Sequence, residues 1–212
     1  MCGFAGFVGE VENREQVLEN MIDTIIHRGP DSSGKFVDED AALGFRRLSI
    51  IDLSESGDQP LYNEDRSKVL VFNGEIYNYQ ELREELIQAG HTFVSNTDSE
   101  TLIHGYEQWG EELVYRLRGM YAFAIWDQKA KRLFSARDIF GIKPLYYAQM
   151  NGTLMFGSEI KSFLEHPKFD KVFNEDALGN YLSFQFVPTN ETFFKGVFCV
   201  QPGHYSFMRT GK

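Results

Sequence analysis

Apolar positions along the chain recur with two spacings, and these divide it into short strands and a few helices. Residues 3–9 set Gly3 and Gly6 among Phe4, Phe7 and Val8, which fits a tightly packed strand. Val17, Leu18, Met21, Ile22, Ile25 and Ile26 then recur at helical spacing and predict a helix over 14–27. Arg28-Gly29-Pro30-Asp31 ends it, because Gly closes the helix and Pro prevents its return. Strands are predicted at 42–46, 48–53 and 69–73, joined by turns at Gly57-Asp58-Gln59-Pro60 and Asn63-Glu64-Asp65. Helical spacing returns at 79–89 and 99–109. Strand patterns follow at 121–126, 132–135, 144–147 and 204–208. Asn174 is placed to cap a helix over 175–184, with acidic residues in its first turn complementing the dipole. The connections are too short for a parallel sheet with a helix in every crossover, so the pattern predicts a layered α+β or mixed α/β domain.

Composition narrows the function classes. The 212 residues include 42% hydrophobic and 15% aromatic positions, which excludes disorder and allows one large domain or two tight ones. A net charge of −10 argues against a nucleic-acid or anionic-membrane binder. No apolar run approaches the ~18 residues of a membrane span, and no basic segment precedes a long apolar stretch as in a signal peptide. Cys2 and Cys199 are too few for a disulfide framework or a four-ligand zinc site, so a reducing, cytoplasmic setting is expected. Thr210-Gly211 reads as a hairpin turn with no returning strand, so the chain is expected to be part of a longer polypeptide.

Several clusters carry candidate chemistry. Once Met1 is removed, Cys2 would hold both a thiol nucleophile and a free α-amine to serve as its base. Asn73-Gly74, at the end of an apolar strand, offers a side-chain amide N–H and a backbone N–H for an oxyanion; the competing reading is an ordinary Asn-Gly hairpin turn. Arg47 lies in a β-branched context, either at a strand edge or as a bidentate clamp for a carboxylate. Asp98 could cap the third helix or face an ammonium group. Gly157-Ser158-Glu159 lacks the Gly-Lys-Ser/Thr ending of a phosphate loop. The five histidines, His27, His91, His104, His166 and His204, are dispersed without a His-x-x-x-His pair, and read as structural or surface residues rather than a metal site.

Together these blocks resemble the glutaminase domain of class II glutamine amidotransferases, the N-terminal-nucleophile hydrolase type, from Cys2 to about Tyr205. Within that family the chain is most similar to glutamine-hydrolysing asparagine synthetases. The resemblance rests on Arg28-Gly29-Pro30-Asp31, Arg47-Leu48-Ser49-Ile50, Phe72-Asn73-Gly74-Glu75-Ile76-Tyr77-Asn78 and Thr97-Asp98-Ser99-Glu100. Arg137-Asp138, Gly157-Ser158-Glu159, Phe194-Lys195-Gly196-Val197 and Pro202-Gly203-His204-Tyr205 extend it. Gly141-Ile142-Lys143-Pro144-Leu145-Tyr146-Tyr147 separates the chain from glucosamine-phosphate synthases and phosphoribosyl-pyrophosphate amidotransferases.

The resemblance implies a four-layer αββα sandwich of two antiparallel sheets, with a domain over residues 1–205 and 206–212 beginning a connection to a C-terminal synthetase domain. It implies that Cys2 attacks the glutamine amide while Asn73 and Gly74 form the oxyanion hole. Arg47 would bind the α-carboxylate, Asp98 and Glu75 the α-ammonium, and Leu48, Ser49, Ile50 and Ile51 would wall the pocket. Ammonia would pass to the synthetase domain, and a homodimer is the family's precedent. No Ser-Gly-Gly-x-Asp-Ser pyrophosphate loop is present, so no cofactor or metal is expected in these residues, and ATP and magnesium belong to the synthetase domain. The alternatives are a sister amidotransferase with another ammonia acceptor and a silent glutamine-sensing module.

Overall fold

The structure is a computed structural model that describes residues 2–48 and 57–209. The predicted strand at 48–53 and the turn at Thr210-Gly211 therefore lie outside the described residues, apart from Leu48. Eleven strands among the described residues form two sheets, and every pairing is antiparallel. The first sheet has the order β10-β8-β9-β1-β3-β2. Its strands are β1 (Gly3–Val8), β2 (Ser32–Val37), β3 (Ala41–Arg47), β8 (Tyr146–Met150), β9 (Thr153–Gly157) and β10 (Val197–Cys199). The second has the order β11-β7-β6-β5-β4. It is built from β4 (Leu61–Tyr62), β5 (Lys68–Ile76), β6 (Gly119–Asp127), β7 (Arg132–Arg137) and β11 (Tyr205–Arg209). The domain boundary drawn at residue 205 falls at the start of β11, whose residues through Arg209 pair with β7.

Side-chain alternation explains the layering, because successive residues of a strand point to opposite faces. Phe4, Val8, Leu43, Phe45, Val69, Val71, Ala124 and Trp126 form one core between the sheets. The alternate residues Ala5, Phe7 and Ala42 pack outward on Val17, Leu18, Met21 and Ile22 of α1 (Arg14–Asp23). On the other side, Leu70, Phe72, Phe123 and Ile125 pack on Leu82 of α2 (Tyr79–Gln88) and Leu102 and Ile103 of α3 (Asp98–Trp109). The result is the αββα sandwich. Trp126 is wholly buried in the inner layer, and its indole N–H donates to Asp38 Oδ2 at 2.8 Å, so no polar atom is stranded there.

Some boundaries differ from the sequence pattern. Helix α1 ends at Asp23 rather than continuing to residue 27, and a separate 3₁₀ turn covers Ile26–Arg28. Gly29 passes so close to β3 that an added Cβ would lie 2.4 Å from the Arg46 carbonyl. A longer regular helix would have to separate the two. Asn174 does precede α5 (Glu175–Phe184), but its side chain does not cap the helix; Nδ2 donates to Thr192 O at 3.0 Å. The short α4 (Leu113–Arg116) completes the helices. Among the described residues no helix is long and apolar enough to cross a membrane.

The layering makes a stability prediction. Ile22 is fully buried between α1 and the first sheet, whereas Ile26 is about half exposed. Ile22→Ala should destabilise the chain by about 2–5 kcal/mol and Ile26→Ala by no more than about 0.5 kcal/mol. Urea midpoints of the two variants check this.

Candidate active site

The alternation that builds the inner core also aims its polar residues. Leu43, Phe45 and Arg47 share a face of β3; Val69, Val71 and Asn73 share a face of β5; and Phe4 shares its parity with Cys2. At one end of the sandwich the inner faces therefore change from apolar to polar. A cavity of about 370 Å³ opens there, lined by Cys2, Arg47, Leu48, Asn73, Gly74, Glu75 and Asp98 among others. Its size lies in the range of small-molecule sites. Among the predicted pocket residues, Ser49, Ile50 and Ile51 lie outside the described residues.

Cys2 is held from two sides. Leu48 N–H donates to its Sγ at 3.4 Å, and Sγ lies 3.6 Å from Leu48 O. Its carbonyl accepts from Arg28 Nε at 3.0 Å, and Arg28 Nη1 donates to Glu159 at 3.0 Å. Gly3 lets this guanidinium approach, since a Cβ there would sit 2.7 Å from Arg28 Cδ. Against burial, hydrogen bonds from Arg28, His27 and Lys161 hold the Glu159 carboxyl below its ordinary value. An ionised Glu159 thus anchors the arginine that grips the Cys2 backbone.

Asn73 and Gly74 lie inside β5, which continues to Ile76, so the hairpin-turn reading is excluded. Gly74 is required by a close approach: an added Cβ would lie 2.2 Å from Met120 O on β6. Strand β5 outruns β4, which pairs only with Val69 and Leu70. Side chains then serve that edge. Gln59 Oε1 accepts from Phe72 N at 2.6 Å and its Nε2 donates to Phe72 O, while Asp98 Oδ2 accepts from Ile76 N at 2.8 Å. Backbone N–H groups two residues apart point to the same edge, so the Gly74 N–H is directed there too, between Gln59 and Asp98. Asn73 is 2% exposed, and its Nδ2 is buried without a hydrogen-bond partner. An unsatisfied buried donor costs about 1–3 kcal/mol, and it faces the cavity that Cys2 lines.

Two charges stand elsewhere in the same cavity. Arg47 is 8% exposed, and Asp58 fixes its Nη1 at 2.8 Å. Gly57 admits the guanidinium, because a Cβ there would meet Nη2 at 2.7 Å. Asp98 is not the cap of α3: Thr97 occupies that position and Asp98 is the first helical residue, its carboxylate bonded to β5 instead. Burial pushes the Asp98 carboxyl up to about 6; the Ile76 and Ser99 N–H bonds oppose the rise and the Glu75 carboxylate adds to it. No carboxylate cluster suited to a metal lines the cavity among the described residues.

The full chain, residues 1–212, matches the family model described as glutamine amidotransferase domain. The chain belongs to the glutamine amidotransferase family. The domain is 47% identical over 208 residues to asparagine synthetase [glutamine-hydrolyzing] 1 of Bacillus subtilis (strain 168), covering 96% of this chain and 33% of that protein. It is 40% identical to asparagine synthetase [glutamine-hydrolyzing] 2 of the same organism, covering 97% of this chain and 28% of that protein. The amidotransferase domain thus spans about a third of the length of the curated relatives it matches. Glutamine phosphoribosylpyrophosphate amidotransferase from B. subtilis, solved with ADP and GMP, shares the fold with a TM-score of 0.67 at 20% identity, covering 99% of this chain and 49% of that one.

The amidotransferase site also uses residues without an assigned role in the sequence reading: Arg28, Glu159, Gln59 and Asp58. Arg28-Gly29-Pro30-Asp31 and Gly157-Ser158-Glu159 enter as blocks of the family resemblance, and read by themselves as a turn and as a failed phosphate loop. Their opposite charges were the available signal, but nothing local pairs residues so distant in the chain.

Asp98 yields a pH-dependent prediction. Its folded-state value near 6 exceeds the ordinary 3.8, so the site stabilises the fold below about pH 4 and loses that contribution as pH rises through 6. Asp98→Asn keeps the side chain uncharged. Its melting temperature should exceed that of the parent above pH 7 and converge on it near pH 4; a difference independent of pH contradicts the assignment.

Proposed function

We propose that the chain hydrolyses glutamine to glutamate and ammonia with Cys2 as an N-terminal nucleophile. The unpartnered Asn73 amide, buried in the cavity that Cys2 lines, carries this reading. After removal of Met1, the Cys2 α-amine takes the thiol proton and Sγ attacks the side-chain amide carbon. The oxyanion that forms is received by Asn73 Nδ2 and the Gly74 N–H, which favour it over the planar ground state. Collapse breaks the C–N bond, the ammonium form of the amine returns its proton to the leaving nitrogen, and a γ-glutamyl thioester remains on Cys2. Water, deprotonated by the same amine, attacks the thioester; the C–S bond breaks, glutamate leaves, and the ammonium returns its proton to the Cys2 thiolate.

Selectivity follows from the charges on the cavity wall. Arg47 binds the α-carboxylate, and Asp98 with Glu75 binds the α-ammonium. A simple amide lacks both α-groups, forgoes these contacts and is turned over less well. Leu48, with Ser49, Ile50 and Ile51, completes the wall.

The domain runs through β11, and the chain beyond it leads towards a synthetase domain. In the longer protein the ammonia amidates aspartate in an ATP- and magnesium-dependent reaction, in line with the asparagine synthetase relatives. No cofactor is assigned to the glutaminase step. Its partners are glutamine, the synthetase domain and a second copy in a homodimer, in a reducing cytoplasm suited to the free thiols Cys2 and Cys199.

Cys2→Ala should abolish glutaminase activity in an ammonia-release assay, and retained turnover overturns the reading. Asn73→Ala should lower kcat by about 10²–10³. Arg47→Ala should act mainly on KM. Because only ionised Asp98 attracts an ammonium group, kcat/KM should fall as pH drops below about 6.

A further inference from the structure

Beyond the cavity, α3 carries a second polar cluster. His104 follows Asp98 by six positions, about 9 Å along the helix axis, and Glu107 lies one turn further on the same face. Glu64 approaches from the β4–β5 turn and His91 from the α2–α3 connection. One donor atom from each of Glu64, His91, His104 and Glu107 lies within 4.8 Å of the others.

The two histidines point towards a common carboxylate partner, and His104 is poorly bonded. His91 Nε2 faces Gln108 Oε1 at 3.2 Å, and His104 Nε2 faces Glu100 Oε1 at 3.5 Å. The inner nitrogens converge on one carboxylate: His91 Nδ1 lies 3.4 Å from Glu64 Oε1 and His104 Nδ1 lies 3.3 Å from Glu64 Oε2. His104 is only 2% exposed, and neither of its ring nitrogens makes a well-formed hydrogen bond. The two rings lie 5.2 Å apart between centroids, so one cation between them would be a common partner for both inner nitrogens.

We propose that Glu64, His91, His104 and Glu107 bind a divalent transition-metal ion of the zinc type, tying the β4–β5 turn and the α2–α3 connection to α3. Two imidazole nitrogens and two carboxylates form a donor set suited to zinc. Bonds of about 2.0–2.1 Å in a tetrahedron separate neighbouring donors by roughly 3.3 Å, so donors that all lie within 4.8 Å of one another need only a small inward adjustment to share one ion. Further groups orient the ligands as metal sites require: Asn63 Nδ2 donates to Glu107 Oε1 at 3.1 Å and Thr92 N to Glu64 Oε1 at 3.3 Å. Glu64 and Glu107 are exposed, so an ion reaches the site from solvent. Because α3 presents Asp98 at its other end, the ion would steady the helix that contributes to the cavity.

The test uses the full chain after treatment with a chelator, titrated with cobalt(II) and with zinc. About one equivalent of cobalt should give the visible bands of four-coordinate geometry without a thiolate charge-transfer band, and zinc should raise the melting temperature. Glu107→Gln and His91→Ala, both near the surface, should each weaken cobalt binding at least about tenfold while circular dichroism stays unchanged. Absence of both the visible bands and the melting shift would make the cluster a proton-bonded network and overturn the proposal. Binding that persists undiminished in both variants, or that shows thiolate charge transfer, would place the metal elsewhere and overturn it equally.

Discussion

Two antiparallel sheets pressed together through Phe4, Leu43, Phe45, Val71 and Trp126 leave little freedom for polar side chains on their inner faces. A polar group anywhere along that layer must find a partner or sit at its end. Cys2, Arg47 and Asn73 sit at the end, each continuing the inward face of its own strand. The packing that excludes water from the core thus also delivers a thiol, an amide donor and a cation to one cavity. Proximity is obtained from strand register rather than from a flexible loop, which is the rigid placement that catalysis requires.

Around this frame the site is held by polar groups from distant parts of the chain. Glu159 anchors Arg28, which grips the Cys2 carbonyl. Gln59 and Asp98 take over the edge of β5 where β4 stops, so Gly74 is held without a neighbouring strand covering its N–H. Costs accompany these arrangements: a buried amide without a partner at Asn73 and a desolvated carboxyl at Asp98. Both are stability losses that ligand binding would recover, as expected of a site shaped for a charged substrate.

Much of this was legible in the sequence because two-residue alternation carries over directly into layers. The pattern placed α2, α3, α5 and the strands β5, β6, β7 and β11 close to where they lie, and the family blocks picked out Cys2, Arg47, Asn73 and Asp98. What escaped depended on contacts between distant residues. Strand β2 (Ser32–Val37) was missed because its edge position leaves alternate residues exposed and its composition is polar. β9 and β10 are short and gain their identity from pairing with β1 and β8. Gln59 acts as a strand partner for Phe72 only because the chain folds back there. His91 and His104, dispersed in sequence, come within 5.2 Å between ring centroids for the same reason.

The central claim is that Cys2 works as both nucleophile and base, which requires its amine to be free. Intact mass spectrometry of the purified chain, paired with glutaminase rates on the same samples, tests it most directly. The account predicts that activity tracks the fraction of molecules lacking Met1 and beginning at Cys2. Full activity in molecules that retain Met1 would contradict it.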